Sequence, residues 1–322
     1  MAPESSMITD RIDAITHIQP EYMQAKPPCP KSVKIELTGR CNYRCGFCAL
    51  RMREDQPLPK DDMNLEFFKK ITGDMFDSGV EEIGLFYLGE SLMAPKLTVD
   101  AIRYLKELGM PYVFLTTNGS LASERVIHAL MDAGLDSLKF SINAADFEQF
   151  EDVMGVKSKL YKQALKNLRQ AYEIRNRCKY KTKVYASSIK YDGEQQERME
   201  SLIKEHVEPY VDESYYLPLY SMGSVATERE AELGYRPTAG NQGRLGGLVA
   251  PLPCWSLMTE GHVRANGEVS LCCFDASGRF RVGDLHKDSW MTVWHNEAFT
   301  DIRKAHLAED LSGTVCAECV AY

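Results

Sequence analysis

The sequence predicts an α/β fold: a partial (β/α)6 barrel followed by a small hairpin-plus-helix module at the C-terminus. Three observations carry this. Short apolar runs alternate with amphipathic helical stretches from Val33 to about Leu219. Glycines stop the helices in a regular way. After Pro253 the pattern changes to a hairpin signal and a cysteine-rich tail.

The apolar runs are Val33–Leu37, Ile83–Leu88, Tyr112–Thr117, Ser137–Ile142, Lys183–Ile189 and Ser214–Leu219. These are the candidate strands. Between the first two, Leu65, Phe68, Ile71, Met75 and Phe76 keep helical spacing, with Asn64 as N-cap and Gly79 as the stop. Gly109 and Gly134 end the next two helices, and Leu160, Ala164, Leu168 and Tyr172 mark a longer one. Six βα repeats imply a parallel sheet with helices outside. Six falls short of the eight of a closed barrel, so the sheet should be curved and open, with functional residues at its strand C-termini.

The resulting organisation is an N-terminal extension over 1–30, the barrel over 31–220, a connection over 221–253 and the module over 254–322. The connection is rich in glycine and polar residues, including Ser221-Met222-Gly223 and Ala239-Gly240-Asn241-Gln242-Gly243. In the module, Ser256–Arg264 and Glu268–Phe274 flank Asn266-Gly267, a strong two-residue hairpin turn. A helix with Trp290, Val293, Trp294, Phe299 and Ile302 follows.

The composition excludes several classes. A formal charge of −8 without a basic run argues against nucleic acid as a partner. No apolar stretch approaches a membrane span, and residues 1–20 lack the apolar core of an export signal, so a cytoplasmic location is expected. Ten cysteines, at 29, 41, 45, 48, 178, 254, 272, 273, 316 and 319, fall mainly into two clusters far apart in the chain. That pattern suggests metal or cluster ligation rather than a disulfide framework.

The first cluster, Cys41-Asn42-Tyr43-Arg44-Cys45-Gly46-Phe47-Cys48, has CxxxCxxC spacing directly after the first strand. Three thiolates can hold three irons of a cubane and leave the fourth open to a small molecule. A structural zinc wants four ligands, and no fourth cysteine or histidine is near in sequence. The spacing, with an aromatic Phe47 before the last cysteine, resembles the defining motif of the radical S-adenosylmethionine superfamily. The resemblance implies a [4Fe–4S] cluster on Cys41, Cys45 and Cys48, S-adenosylmethionine on the open iron, and a 5′-deoxyadenosyl radical made with an electron from a flavodoxin- or ferredoxin-type reductant. It also implies cofactor contacts by Phe47, Gly89, Glu90, Asn118, Ser141 and Asn143. Tyr87-Leu88-Gly89-Glu90 resembles the family's Gly-Gly-Glu motif with Leu88 in place of the first glycine, and Glu90 would accept from the ligand's ammonium. At Met154-Gly155 relatives often carry an arginine before the glycine, so Lys157 or another base would bind the carboxylate. For each of these polar residues the bland alternative is a strand end that caps the next helix.

The second cluster is Cys254, Cys272, Cys273, Cys316 and Cys319. A cysteine, a hairpin with glycine at its turn, a second cysteine and a CxxC pair resemble the SPASM/twitch module. The resemblance implies an auxiliary [4Fe–4S] cluster on Cys254, Cys272, Cys316 and Cys319, in the one-cluster twitch form, with Cys273 able to exchange with Cys272. A zinc ribbon is the alternative. Cys29 and Cys178 are left over; buried small hydrophobes are the usual fate of free cysteines. His262 and His286 have no ligand-like spacing.

The architecture resembles aminocyclitol-dehydrogenase-type members. It implies two-electron oxidation of a small polar, carbohydrate-like metabolite with the auxiliary cluster as electron acceptor. Radical epimerisation with Cys178 or Cys273 as hydrogen donor, peptide modification, and a non-catalytic iron–sulfur or zinc protein are the alternatives.

Overall fold

A computed structural model of the chain describes residues 7–48, 62–220, 241–275 and 278–320. Among the described residues, nine strands form a single sheet in the order β6-β5-β4-β3-β2-β1-β7-β8-β9. They are β1 Ser32–Ile35, β2 Glu82–Gly84, β3 Tyr112–Thr117, β4 Ser137–Ser141, β5 Lys183–Ile189, β6 Glu213–Leu217, β7 Glu260–Val263, β8 Glu268–Ser270 and β9 Arg281–Asp284. β1 to β6 run parallel to their neighbours, and β6 and β9 are edges, so the barrel is open as expected.

The C-terminal module continues this sheet. β7 pairs parallel to β1, with Val33 opposite Gly261, and the antiparallel β8 and β9 extend it. β9 has no counterpart in the sequence reading, because Arg281–Asp284 carries no apolar run. The hairpin strands are also shorter than expected: Trp255–Leu257 is a 3-10 turn rather than strand. β2 ends at Gly84, short of Leu88. The single helix expected around Trp290 is two, Trp290–Trp294 and Glu297–Leu307. The Asn296 side chain accepts from Phe299 N at 3.0 Å and caps the second, so the break is written in that residue.

Among the described residues, the α-helices that precede the module are α1 Ile8–Thr16, α2 Leu65–Asp77, α3 Pro95–Leu108, α4 Glu124–Asp132, α5 Phe147–Met154, α6 Lys159–Cys178 and α7 Gly193–Leu202. Asn64 caps α2 through Glu66 N and Phe67 N, a contact type worth about 1 kcal/mol. Gly109 closes α3 with a φ of 94°.

Strand alternation separates two environments. Val33, Ile35, Val113, Leu115, Leu138 and Phe140 are fully buried in the main core. Their neighbours Ser32, Lys34, Tyr112, Phe114, Thr116, Ser137 and Lys139 line a cavity of about 240 Å³ inside the barrel. The inner face is therefore polar and aromatic, unlike the branched apolar filling of a closed barrel.

α1 closes the N-terminal end of this cavity. Thr9 Oγ1 donates to Glu213 at 2.6 Å, Arg11 pairs with Glu82 at 2.7 Å and lies over the Tyr112 ring, and Arg244 pairs with Asp13. Glu82, Tyr112 and Glu213 begin β2, β3 and β6. The expected N-terminal extension thus includes a helix that seals the barrel floor. Residues 221–240 of the expected connection lie outside the described residues.

Candidate active site

Cys41, Cys45 and Cys48 follow β1 at the C-terminal end of the strands. Their thiols are close enough to oppose one another's ionisation. Burial, with the Glu90 and Cys48 charges, pushes Cys41 up to about 12, and burial pushes Cys45 well above the ordinary thiol range. Protein alone therefore disfavours three thiolates here. Iron supplies the missing positive charge, so the donor set fits a cluster.

The loop is held from two sides. The end of α5 offers carbonyls: Arg44 N donates to Met154 O at 3.1 Å and Gly46 N to Val153 O at 2.7 Å. These are carbonyls that a helix C-terminus leaves without intrahelical donors. Gly155 then turns with a φ of 62°, and a Cβ there would stand 2.8 Å from Arg44 O. On the other side, Asn118 Nδ2 donates to Asn42 Oδ1 and Asn42 Nδ2 to Ser120 Oγ, both at 2.9 Å. Phe47 is half-buried against the core.

Gly89 and Glu90 build the floor of the loop. A Cβ on Gly89 would lie 1.9 Å from Thr38 O, so only glycine lets these backbones meet. Glu90 N donates to Arg40 O at 2.8 Å. The Glu90 carboxyl, 3% exposed, accepts from Thr117 Oγ1 at 2.8 Å, Asn118 N at 2.8 Å and Leu92 N at 3.1 Å. Burial raises its pKa, and these three donors oppose the rise. A carboxylate has about four lone-pair sites, so about one is left for a ligand.

The remaining expected contacts are more occupied. Asn143 Oδ1 accepts from Ile189 N at 3.0 Å, and its carbonyl accepts from Tyr191 Oη at 2.5 Å. Ser141 is half-buried and pairs with Ser187 across β4 and β5. Met154 puts its sulfur 3.5 Å from Cys45 Sγ, and Lys157 is exposed. Cys178 is exposed at the end of α6, which leads into the start of β5. That is the end of the sheet opposite the cysteine loop, so its expected role as hydrogen donor is not supported. Cys29 packs against the core.

The second group separates cleanly. Cys254, Cys272, Cys316 and Cys319 line one small apolar chamber with His306 and Ser256. Cys273 instead lines the barrel cavity, and Asn241 Nδ2 donates to its sulfur at 3.4 Å. Two of the residues that line it carry a buried polar atom, His306 Nε2 and Ser256 Oγ, that has no hydrogen-bond partner among the described residues. Burial with Cys319 nearby pushes Cys316 up to about 12, and burial raises Cys254 too. Around one tetrahedral zinc with 2.3 Å bonds, sulfurs stand roughly 3.8 Å apart. No three cysteine, histidine or carboxylate groups converge as ligands of a single ion do among the described residues. Four thiols and orphaned donors around a chamber suit a cluster with its own sulfides better than one zinc.

The chamber and the barrel cavity share Asn241 and Phe274 in their walls. Tyr87 Oη donates to Cys272 O at 2.6 Å, tying the loop after β2 to the module. Sequence reasoning missed the ionic group on the cavity wall: Glu260 accepts from Lys34 at 2.8 Å and lies 2.7 Å from His262 Nε2. The strict alternation Ser32-Val33-Lys34-Ile35-Glu36-Leu37 signalled a polar inner face. Burial alone would raise the Glu260 carboxyl, but Lys34 and His262 outweigh it and hold it at about 2. His286, by contrast, stacks on Phe67.

An open barrel with a three-cysteine loop at its C-terminal rim and a four-cysteine chamber beside its cavity defines an iron–sulfur radical enzyme. The chain belongs to the radical SAM superfamily, whose family model matches residues 35–205, and a SPASM iron–sulfur cluster-binding domain matches residues 254–320. With these come S-adenosylmethionine, its [4Fe–4S] cluster and auxiliary iron–sulfur binding. A GTP 3′,8-cyclase of Chlorobaculum tepidum is 33% identical over 122 residues, 38% of this chain and 35% of that protein. The chain spans less than half the length of the first curated relatives it matches. Among solved structures, SuiB of Streptococcus suis bound to precursor peptide SuiA has a TM-score of 0.62 at 15% identity, covering 85% of this chain and 66% of that one. BtrN in complex with AdoMet and 2-DOIA has a TM-score of 0.54 at 15% identity, covering 89% and 91%. These likenesses are of fold.

Proposed function

We propose that this enzyme oxidises a small polar metabolite by two electrons inside the barrel cavity. The observation that carries the reading is the shared wall: the cavity meets the four-cysteine chamber at Asn241 and Phe274. When bound, the first cluster with S-adenosylmethionine supplies a hydrogen-abstracting radical, and the auxiliary cluster an electron sink. Cys41, Cys45 and Cys48 would hold the first; Cys254, Cys272, Cys316 and Cys319 the second.

The chain's own residues prepare the cavity for a polar guest. Lys34, Arg11 and Arg244 each have a carboxylate partner. Lys139 has none among the described residues; it donates to Tyr215 Oη at 3.0 Å. An ammonium lining a low-dielectric cavity favours an oxygen-rich substrate, because leaving it unpaired is costly. Lys34, Glu260 and His262 form a connected ionic group at the cavity, with the Glu260 carboxylate held between its two partners.

A second reading is favoured by one observation. Cys273 lines the same cavity; Cys272 and His262 lower its pKa, so its protonated form would have to return the hydrogen atom that leaves an epimer. A metabolite screen with reduced enzyme and S-adenosylmethionine separates the two. Oxidation removes two hydrogens from the product mass. Epimerisation leaves the mass unchanged in water and adds one deuteron in deuterium oxide. An unchanged mass without deuterium uptake contradicts both and favours a rearrangement, the class to which the name GTP 3′,8-cyclase points among the relatives. The cytoplasm and a ferredoxin- or flavodoxin-type electron donor complete the proposal.

A further inference from the structure

His306 is fully inside the protein, 1% exposed, on the helix Glu297–Leu307. Its two nitrogens have different surroundings. Nδ1 lies 3.2 Å from the backbone N of Cys254. A backbone N–H can only donate, so Nδ1 presents its lone pair, and the ring proton sits on Nε2. Nε2 is buried without an acceptor among the described residues, and His306 is one of the residues that line the chamber with Cys254, Cys272, Cys316 and Cys319.

The ring is not free to turn away. Three residues earlier, on the same helix face, the buried Arg303 donates to Leu257 O at 2.8 Å and Trp294 O at 2.6 Å. These bonds fix the helix against the Trp255–Leu257 turn that follows Cys254. An orphaned buried N–H costs about 1–3 kcal/mol unless something accepts from it. The acceptors a filled chamber would offer are sulfurs.

We propose that His306 is a positioning residue of the auxiliary cluster. Nδ1 fixes the Cys254 backbone, and Nε2–H donates to a sulfur of the cluster or its thiolates. A hydrogen bond to sulfur stabilises the more negative, reduced form and raises the potential. His306 thereby makes the cluster a better acceptor for an electron arriving from the neighbouring cavity. This rests on the reading that the chamber holds a cluster.

The test uses the full chain with Cys41, Cys45 and Cys48 all replaced by alanine, so that only the auxiliary cluster is seen. After anaerobic reconstitution, electron–nuclear double resonance on the reduced cluster in water and deuterium oxide should show an exchangeable hydrogen coupled to it. His306→Leu should lose that coupling, keep about four irons per chain, and shift the reduction equilibrium about tenfold toward the oxidised form, or about 59 mV lower for one electron. His306→Gln, which can still donate, should fall between. No exchangeable coupling in the histidine-containing protein overturns the proposal without any histidine variant. An unchanged potential in His306→Leu does the same, and so does loss of iron in both His306 variants, which would make the residue a ligand. If the parent protein binds no iron in the chamber, the cluster reading itself fails, an outcome separate from the others.

Discussion

Replacing Glu90 by glutamine separates its structural duty from its duty toward ligand. Oε2 accepts from Asn118 N, while Oε1 accepts from Thr117 Oγ1 and Leu92 N. An amide can keep the oxygen facing one set of donors but must turn an NH2 toward the other. The variant loses at least one charge-assisted bond of roughly 1.5–3 kcal/mol. Some of that loss is offset, because burial already penalises the Glu90 charge. A net cost of about 2 kcal/mol follows. With an unfolding entropy of about 2.1 cal/mol/K per residue, the apo protein's Tm should fall by about 3 °C. Glu90→Gln should also weaken S-adenosylmethionine binding by the iron-replete enzyme at least tenfold, if the remaining lone pair receives the ligand's ammonium. Calorimetry measures both. An unchanged Tm would refute the three-bond lock, and unchanged affinity would refute the ligand role, each independently.

Two further perturbations probe the scaffold. Gly155→Ala combines a left-handed φ of 62° with a Cβ 2.8 Å from Arg44 O. It should cost about 2 kcal/mol and lower iron retained by the first loop; full iron loading and normal 5′-deoxyadenosine formation would contradict the α5 clamp. Glu260→Gln leaves the half-buried Lys34 without its anion and should cost about 3 kcal/mol near neutrality. The native Glu260 pKa, about 2, lies below the ordinary 4.5, so its stabilisation is complete above about pH 4.5 and is lost as pH falls toward 2. The shift corresponds to about 3 kcal/mol. The Tm gap between native and variant apo protein should therefore shrink across that acid window, and a constant gap would contradict the pairing.

Much of the frame is visible in the residues. The six barrel strands announce themselves as short apolar runs between amphipathic helical stretches, and Asn64 and Gly109 mark a helix start and a stop by their own chemistry. The cysteine spacing locates the loop. What the residues do not announce depends on distance in the chain. β9 forms because β8 offers an edge, not because Arg281–Asp284 prefers strand. The capture of Arg44 and Gly46 by the end of α5 joins segments over a hundred residues apart. Gly89 reads as a cofactor contact, yet its close approach to Thr38 O already demands glycine. The spacing favours Cys272 over Cys273 as ligand but leaves an exchange open; adjacent positions send one to the chamber and the other to the cavity.

The two-cluster arrangement is the claim on which the rest depends. Iron and sulfide counting on anaerobically reconstituted protein, read beside 5′-deoxyadenosine formation, tests it most directly. The native chain should hold about eight irons, two cubanes of four. Replacing Cys41, Cys45 and Cys48 should leave about four and abolish 5′-deoxyadenosine. Replacing Cys254, Cys272, Cys316 and Cys319 should also leave about four, but with S-adenosylmethionine cleavage retained. A native chain with about four irons, or 5′-deoxyadenosine from the first variant, would contradict the arrangement.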